Sequence, residues 1–329
     1  MEFNLQPQKA DATVVKGEGG GYYAWASITP DVVGAEIGAG IFVLHPRGFA
    51  LPHYGDTRKI GYVIEGTCTM GIISPNSKEE KIVVLNKGDA VPVESGAISW
   101  WFNGGDSDVS VIFLGESSES YTPGQFDYYF LTGAMALLRG FSTEFISKMY
   151  DLNADQSKEL LEKQTNTLVI KIDKGIEMPR ISNCKREEYV INLDEDSPLV
   201  DRIGLSPKLV RLEPESALDA YYSTAHQVIY VVKGGGKVQI VGLNGARMVD
   251  EVVEEGQVIV VPKFFVVAMI ASHQGLELFS VSTSPRPTSK SLAGNGSAYK
   301  SLSSSILEIA LNVPAELVER LKFEECKSG

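Results

Sequence analysis

The chain has little cysteine: three residues in 329, with Cys68, Cys184 and Cys326 odd in number and widely spaced. That usage excludes a disulfide framework and suits a reducing compartment. No uninterrupted apolar run is long enough to span a bilayer. The start, Met1-Glu2-Phe3-Asn4-Leu5-Gln6-Pro7, lacks the basic-then-apolar pattern of a secretory leader. The expectation is a cytoplasmic protein with no membrane partner. Positive charge is also short, 30 Lys and Arg against 42 Asp and Glu, giving −12. Such a surface repels nucleic acid and anionic lipid. No Gly-x-Ser-x-Gly, His-Glu-x-x-His or Cys-x-x-Cys occurs, which removes the common hydrolase, zinc-protease and thiol-redox chemistries. The glycine cluster Gly17-Glu18-Gly19-Gly20-Gly21 lacks the lysine and helix of a phosphate-binding loop, and reads as a flexible entry to a first strand, Tyr22 to Ser27.

What the chain does contain is a repeat. Shifting the numbering by 168 lays Leu51–Asn103 on Asp219–Ala271 without a gap. Tyr62-Val63-Ile64-Glu65-Gly66 falls on Tyr230-Val231-Val232-Lys233-Gly234, and Gly88-Asp89 on Gly256-Gln257. Upstream, Leu44 and Pro46 fall on Leu212 and Pro214. Constant spacing over both halves means one architecture used twice.

Each copy reads as β-structure. Short β-branched runs occur at 61–64, 71–73, 82–85 and 90–93, and again at 228–232, 237–241 and 258–261. Turn residues separate them: Pro75-Asn76-Ser77, Lys87-Gly88-Asp89, Asn103-Gly104-Gly105, Gly234-Gly235-Gly236 and Asn244-Gly245. Many short strands at this spacing predict antiparallel barrels, two of them. A helical segment follows each barrel. Ser142 or Thr143 caps one helix through Tyr150, Asn153 and Gln156 have capping-box spacing, and Pro314 suits the first turn of the last helix. The predicted domains are an arm at 1–20, a barrel at 21–122, a helical extension at 123–164, a second barrel at 165–287 and a second extension at 288–329.

The Gly88-Asp89 turn and the Tyr-Val-Ile-Glu-Gly turn, with the spacing between them, resemble the two sequence motifs of cupins, a jelly-roll family. Leu51-Pro52-His53-Tyr54, Val260-Val261-Pro262-Lys263-Phe264-Phe265 and the stretches Phe130–Gly133, Gly140–Phe145 and Leu292–Gly294 are more specific. They resemble the legumin-type (11S-like) seed storage globulins, and most of all their short, non-secreted plant relatives. The resemblance spans about the whole chain. It implies two tandem cupin barrels, all-β with helical extensions, in a head-to-tail homotrimer clasped by those extensions. Phe141, Phe145, Ile146 and Met149 in one extension, and Ile306, Leu307, Ile309 and Leu311 in the other, supply apolar faces for such a ring. The short stretch 180–207 has no Asn-Gly, so the secreted, cleaved and disulfide-linked state of the storage globulins is not expected.

The resemblance also implies where a metal would sit. Metal-binding cupins use three histidines and a glutamate, and the matching positions are His53, Gly55, Lys59 and Ser99, then Tyr221, Ser223, Gln227 and Val267. One imidazole survives in the first barrel and no strong ligand in the second. No metal and no cofactor are expected. His53, Lys59 and Ser99 should face one interior, with Trp100 or Trp101 beside them and Tyr62 nearby. A buried lysine beside an imidazole has a depressed pKa and can act as base, electrophile or imine former. Two functions follow as expectations. One is a metal-free bicupin that binds a small molecule in the first barrel, with Ser99, Trp101 and Tyr62 as ligand contacts, or that serves a reservoir-like role. The other is a cofactor-free isomerase, epimerase or cyclase using His53 and Lys59, since metal-free cupins of sugar epimerisation pair a histidine base with a tyrosine acid. His53 hydrogen-bonded to a carbonyl, and Lys59 reaching solvent, would instead be structural. The second barrel reads as filled, His226 as pointing out of it, and Cys68 as a packed core residue.

Overall fold

Two antiparallel sheets face each other in the first half of the chain. The computed structural model describes residues 5–26, 37–182, 185–193, 197–294 and 296–323, so Cys184, Cys326 and Ser27 lie outside the described residues. The strands are β1 (Ala12–Gly17), β2 (Gly20–Ala24), β3 (Ile37–Leu44), β4 (Gly48–Gly55), β5 (Arg58–Glu65), β6 (Thr67–Ile73), β7 (Lys81–Asn86), β8 (Ala90–Val93), β9 (Ile98–Phe102), β10 (Val109–Glu116) and β11 (Tyr128–Phe130). One sheet has the order β1-β2-β3-β10-β5-β8 and the other β11-β4-β9-β6-β7. Alternation along each strand sends Leu44, Ala50, Val63, Met70, Leu85, Val111 and Trp101 into a shared core. Each large apolar side chain so buried contributes roughly 1.5–3 kcal/mol. Cys68 is part of this core, and burial pushes its thiol up to about 12. It is an inert packing residue.

Helices α1 (Thr143–Tyr150) and α2 (Ala154–Glu162) follow. Ser142 accepts from the Phe145 amide, and Asn153 and Gln156 cap each other reciprocally, as their spacing predicts. A three-residue strand, β12 (Val169–Lys171), then pairs with β4, and α3 (Pro198–Ile203) closes the unit.

The second half repeats the plan with longer, bent strands. These are β13 (Ser206–Leu212), β14 (Ala217–Ser223), β15 (Gln227–Val241), β16 (Arg247–Glu254), β17 (Val258–Val261), β18 (Val266–Ser282) and β19 (Ser289–Ser291). β15 and β18 pair along nearly their whole lengths and carry the other strands on their ends. Helices α4 (Ala298–Ser301), α5 (Ser304–Leu311) and α6 (Ala315–Phe323) complete it, with the Pro314 carbonyl accepting from the Leu317 amide in the first turn of α6.

The repeat is visible atom by atom. Val63 N–H donates to the Asp89 carbonyl at 2.9 Å, and Val231 N–H to the Gln257 carbonyl at 2.9 Å. Gly66 and Gly234 occupy the same bend with φ of +82° and +77°. A side chain there would be strained and would run into backbone from the facing turn. The run Gly234-Gly235-Gly236, expected as a turn, is instead a bend inside continuous β15, because its amides stay paired to β16 and β18.

Three boundaries differ from the sequence reading. The described residues between 165 and 205 belong with the first barrel: Leu205 closes one unit and Ser206 opens the other, to which residues 5–9 also belong. The cause is local pairing, of β12 with β4, of Ile191 with Ala90, and of the Ser182 amide with the Ile82 carbonyl. The first barrel also runs beyond Thr122, since β11 pairs with residues 53–55 of β4. Finally, residues 5–20 of the expected arm at 1–20 are not loose. Residues 12–17 form β1, Leu5 is buried, and Gln8 exchanges backbone hydrogen bonds with Val258.

Candidate functional site in the first barrel

Strand parity brings the expected polar set together. On β4 and β9, His53 and Ser99 are cross-strand partners. From β5, Lys59 faces the same space, and all three line one cavity with Gly55, Trp101 and Tyr128. All four positions matching the family's metal ligands therefore converge. They supply an imidazole, no side chain, an ammonium and a hydroxyl, a set that does not fit a transition metal. Among the described residues, no three His, Cys, Asp or Glu side chains are grouped to hold one.

His53 Nδ1 donates to the Leu51 carbonyl at 2.8 Å, which leaves Nε2 as the unprotonated nitrogen of the neutral ring. Burial, with a smaller contribution from the Lys59 charge, lowers its pKa to about 4. Lys59 does not reach solvent. Its Nζ is buried with no hydrogen-bond partner, and it sits 4.3 Å from the Tyr128 ring centre and 5.0 Å from that of Phe126. Burial lowers its pKa to about 7, against an opposing pull from the Asp56 charge. Trp101 Nε1 donates to Ser99 Oγ at 3.3 Å, and the indole stands edge-on to Phe42 and Phe113. Trp100, the other open possibility, faces away and donates to Glu80.

Tyr62 does not line the cavity. It is buried on the opposite face of β5, because residues of even number on this strand point away from Lys59 and Val63. Sequence reasoning missed Tyr22, Phe126 and Tyr128. Tyr128 donates to the Tyr22 hydroxyl at 2.7 Å and stands edge-on to His53. The alternating aromatics Phe126, Tyr128 and Phe130 were the available signal, hidden by ending the barrel at Thr122.

The space enclosed is about 20 Å³. That is room for about one water, far below the hundreds of Å³ of an ordinary ligand pocket. In the second barrel, Tyr221 donates to the Gln227 amide oxygen at 3.0 Å and Val267 is fully buried beside it. His226 points away from that interior yet is buried too, its Nδ1 accepting from the Lys263 amide.

Comparison with known proteins decides the family. A cupin family model matches residues 3–158 and 175–319. The chain belongs to the cupin family. Its homologues are the 11S, legumin-type seed storage globulins. It is 25% identical to the 12S seed storage protein CRD of Arabidopsis thaliana over 96% of this chain and 87% of that protein. It is 20% identical to glutelin type-D 1 of Oryza sativa subsp. japonica over 86% and 78%. Procruciferin, the 11S globulin of Brassica napus, superposes with a TM-score of 0.88 at 20% identity, covering 99% of this chain and 96% of that one.

Proposed function

We propose that the protein is a reservoir-like, metal-free legumin-type bicupin of the cytoplasm, without a metabolite-converting site. The observation that carries this reading is the 20 Å³ cavity. The barrel that holds His53, Lys59 and Ser99 leaves far less space than a substrate would need. A sugar or a small plant metabolite has many more atoms than such a cavity holds, which counts against the isomerase, epimerase or cyclase reading of His53 and Lys59. A reservoir protein should accumulate during seed filling and disappear on germination, in the cytosolic fraction. A constant low level confined to one specialised tissue would contradict the reading, and recovery from vacuoles would contradict the location.

The homotrimer is part of the same proposal. Ile146 and Leu307 anchor their helices inward, while Phe145, Met149, Ile306 and Ile309 stay at least half exposed. Apolar helix faces left open in this way support a neighbouring subunit as their cover. Light scattering should return about three times 35.7 kDa. A monomer mass would end it.

Small-molecule binding keeps one specific support in the first unit. Beside that cavity lies a larger depression of about 310 Å³ lined by Val14, Trp25, Phe126 and Met135. Apolar ligands that quench Trp25 fluorescence in the wild type and lose affinity in Met135→Glu would establish that reading.

A further inference from the structure

We propose that the small cavity of the first barrel is a site for one small monovalent anion of the halide class, held by the Lys59 ammonium and the Ser99 hydroxyl. The chemistry starts from Lys59. An ammonium has three N–H donors, and none of those on this buried Nζ meets an acceptor. The ring faces of Tyr128 and Phe126 offset part of the charge but satisfy no hydrogen bond. A buried cation left in this state is costly and calls for a counter-ion.

Among the described residues, none forms an ion pair with Lys59. The lining residues include no carboxylate. The carboxylate that acts on Lys59 is Asp56, whose two oxygens already accept from the Tyr121 and Asp127 amides. Ser99 Oγ accepts from Trp101, so its own proton is left to donate. A cavity of about 20 Å³ matches a monatomic anion or one water, and excludes sulfate, phosphate and organic acids.

Binding should be coupled to protonation. The titratable groups around Lys59 are His53 on β4, Tyr22 on β2 and Tyr128 on β11, with Asp56 beyond the end of β4. The His53 imidazole is neutral above about pH 4, and both tyrosines are pushed further up from 10 by burial. Lys59, near 7, is the group whose charge changes between pH 6 and pH 8. The charged, binding-competent fraction falls about tenfold over that interval, and apparent affinity falls with it.

The test uses sodium bromide on the full chain. Co-crystals should show one bromine anomalous peak in the cavity beside Lys59 Nζ. In solution, bromide should raise the melting midpoint saturably at pH 6, with about tenfold weaker apparent affinity at pH 8. Sodium sulfate at matched ionic strength should give no saturable rise, and Lys59→Met should lose the bromide response. A water bridging Lys59 and His53 with no bromine peak would overturn the proposal. So would an equal bromide response in Lys59→Met. If that variant does not fold, the anomalous peak and the pH dependence in the wild type decide the matter.

Discussion

Lys59 Nζ lies 4.3 Å from the centre of the Tyr128 ring, and this contact joins β5 of one sheet to β11 at the edge of the other. Lys59 comes from β5 and Tyr128 from β11, the strand added to the sheet after the first barrel's expected end. The contact explains how a lysine can be buried without an ion pair. Its charge rests on π-faces, while burial still depresses its pKa.

Replacing Lys59 with methionine should therefore stabilise the protein in halide-free buffer. Below pH 7 the folded and unfolded chains both hold the proton, and the burial penalty stands in full. Between pH 7 and about 10.5 the unfolded chain binds more protons than the folded one, so stability rises with pH as the penalty is relieved. At about 1.4 kcal/mol per pKa unit, the penalty below pH 7 amounts to a few kcal/mol. Lys59→Met should raise the melting midpoint by several degrees at pH 6, with the gain fading toward pH 10.5. A lowered midpoint at pH 6 would show that hydrogen-bond acceptors hold the amine in the folded protein.

His53 stays neutral to a lower pH than a surface histidine does. Its folded pKa, about 4, lies below the ordinary 6.5, so the unfolded chain takes up the proton first as pH falls. Stability is lost from pH 6.5 down to about 4. Long-range ¹H–¹⁵N correlation spectra should show the Nδ1–H tautomer at pH 7, with a titration midpoint near 4. An Nε2–H tautomer would contradict the bond to the Leu51 carbonyl, and a midpoint near 6.5 would contradict the burial of the ring.

The Tyr128–Tyr22 hydroxyl pair should contribute modestly. Tyr128→Phe removes the donor and leaves the buried Tyr22 oxygen unpaired, at a cost of about 1–3 kcal/mol. Chemical denaturation of the variant measures this directly. An unchanged midpoint would mean that Tyr22 finds another partner.

Gly66 and Gly234 give a paired test of the repeat. Each sits at positive φ in the equivalent bend, with backbone close behind it. Alanine at either position should cost at least about 1 kcal/mol. Hydrogen exchange should show the loss in the barrel that carries the substitution. A neutral substitution at one site would mean that the two bends are not held alike.

The repeat was legible because it is written in residues whose roles are local. Gly88 and Gly256 close the same turn, and Ala90–Val93 and Val258–Val261 are strands at equivalent positions. The inward positions of His53, Lys59 and Ser99 could be read by counting along strands. Tyr62 was placed beside them through its motif, although its even number puts it on the other face of β5. The attachment of 165–205 to the first barrel was hidden for another reason. It depends on a three-residue strand and single bridges, which are too short to leave a period in the sequence. Tyr128 and Phe126 were unreadable as site residues for the same kind of reason, since only tertiary pairing of β11 with β4 brings them over Lys59.

The central claim is that the polar interior of the first barrel is closed against metabolites. It is tested most directly by a high-resolution crystal structure of protein purified without a tag from its native tissue. The account predicts nothing larger than a single water or a halide in contact with Lys59, His53 and Ser99. Ordered density there for an organic molecule, confirmed by its mass in the dissolved crystals, would contradict it.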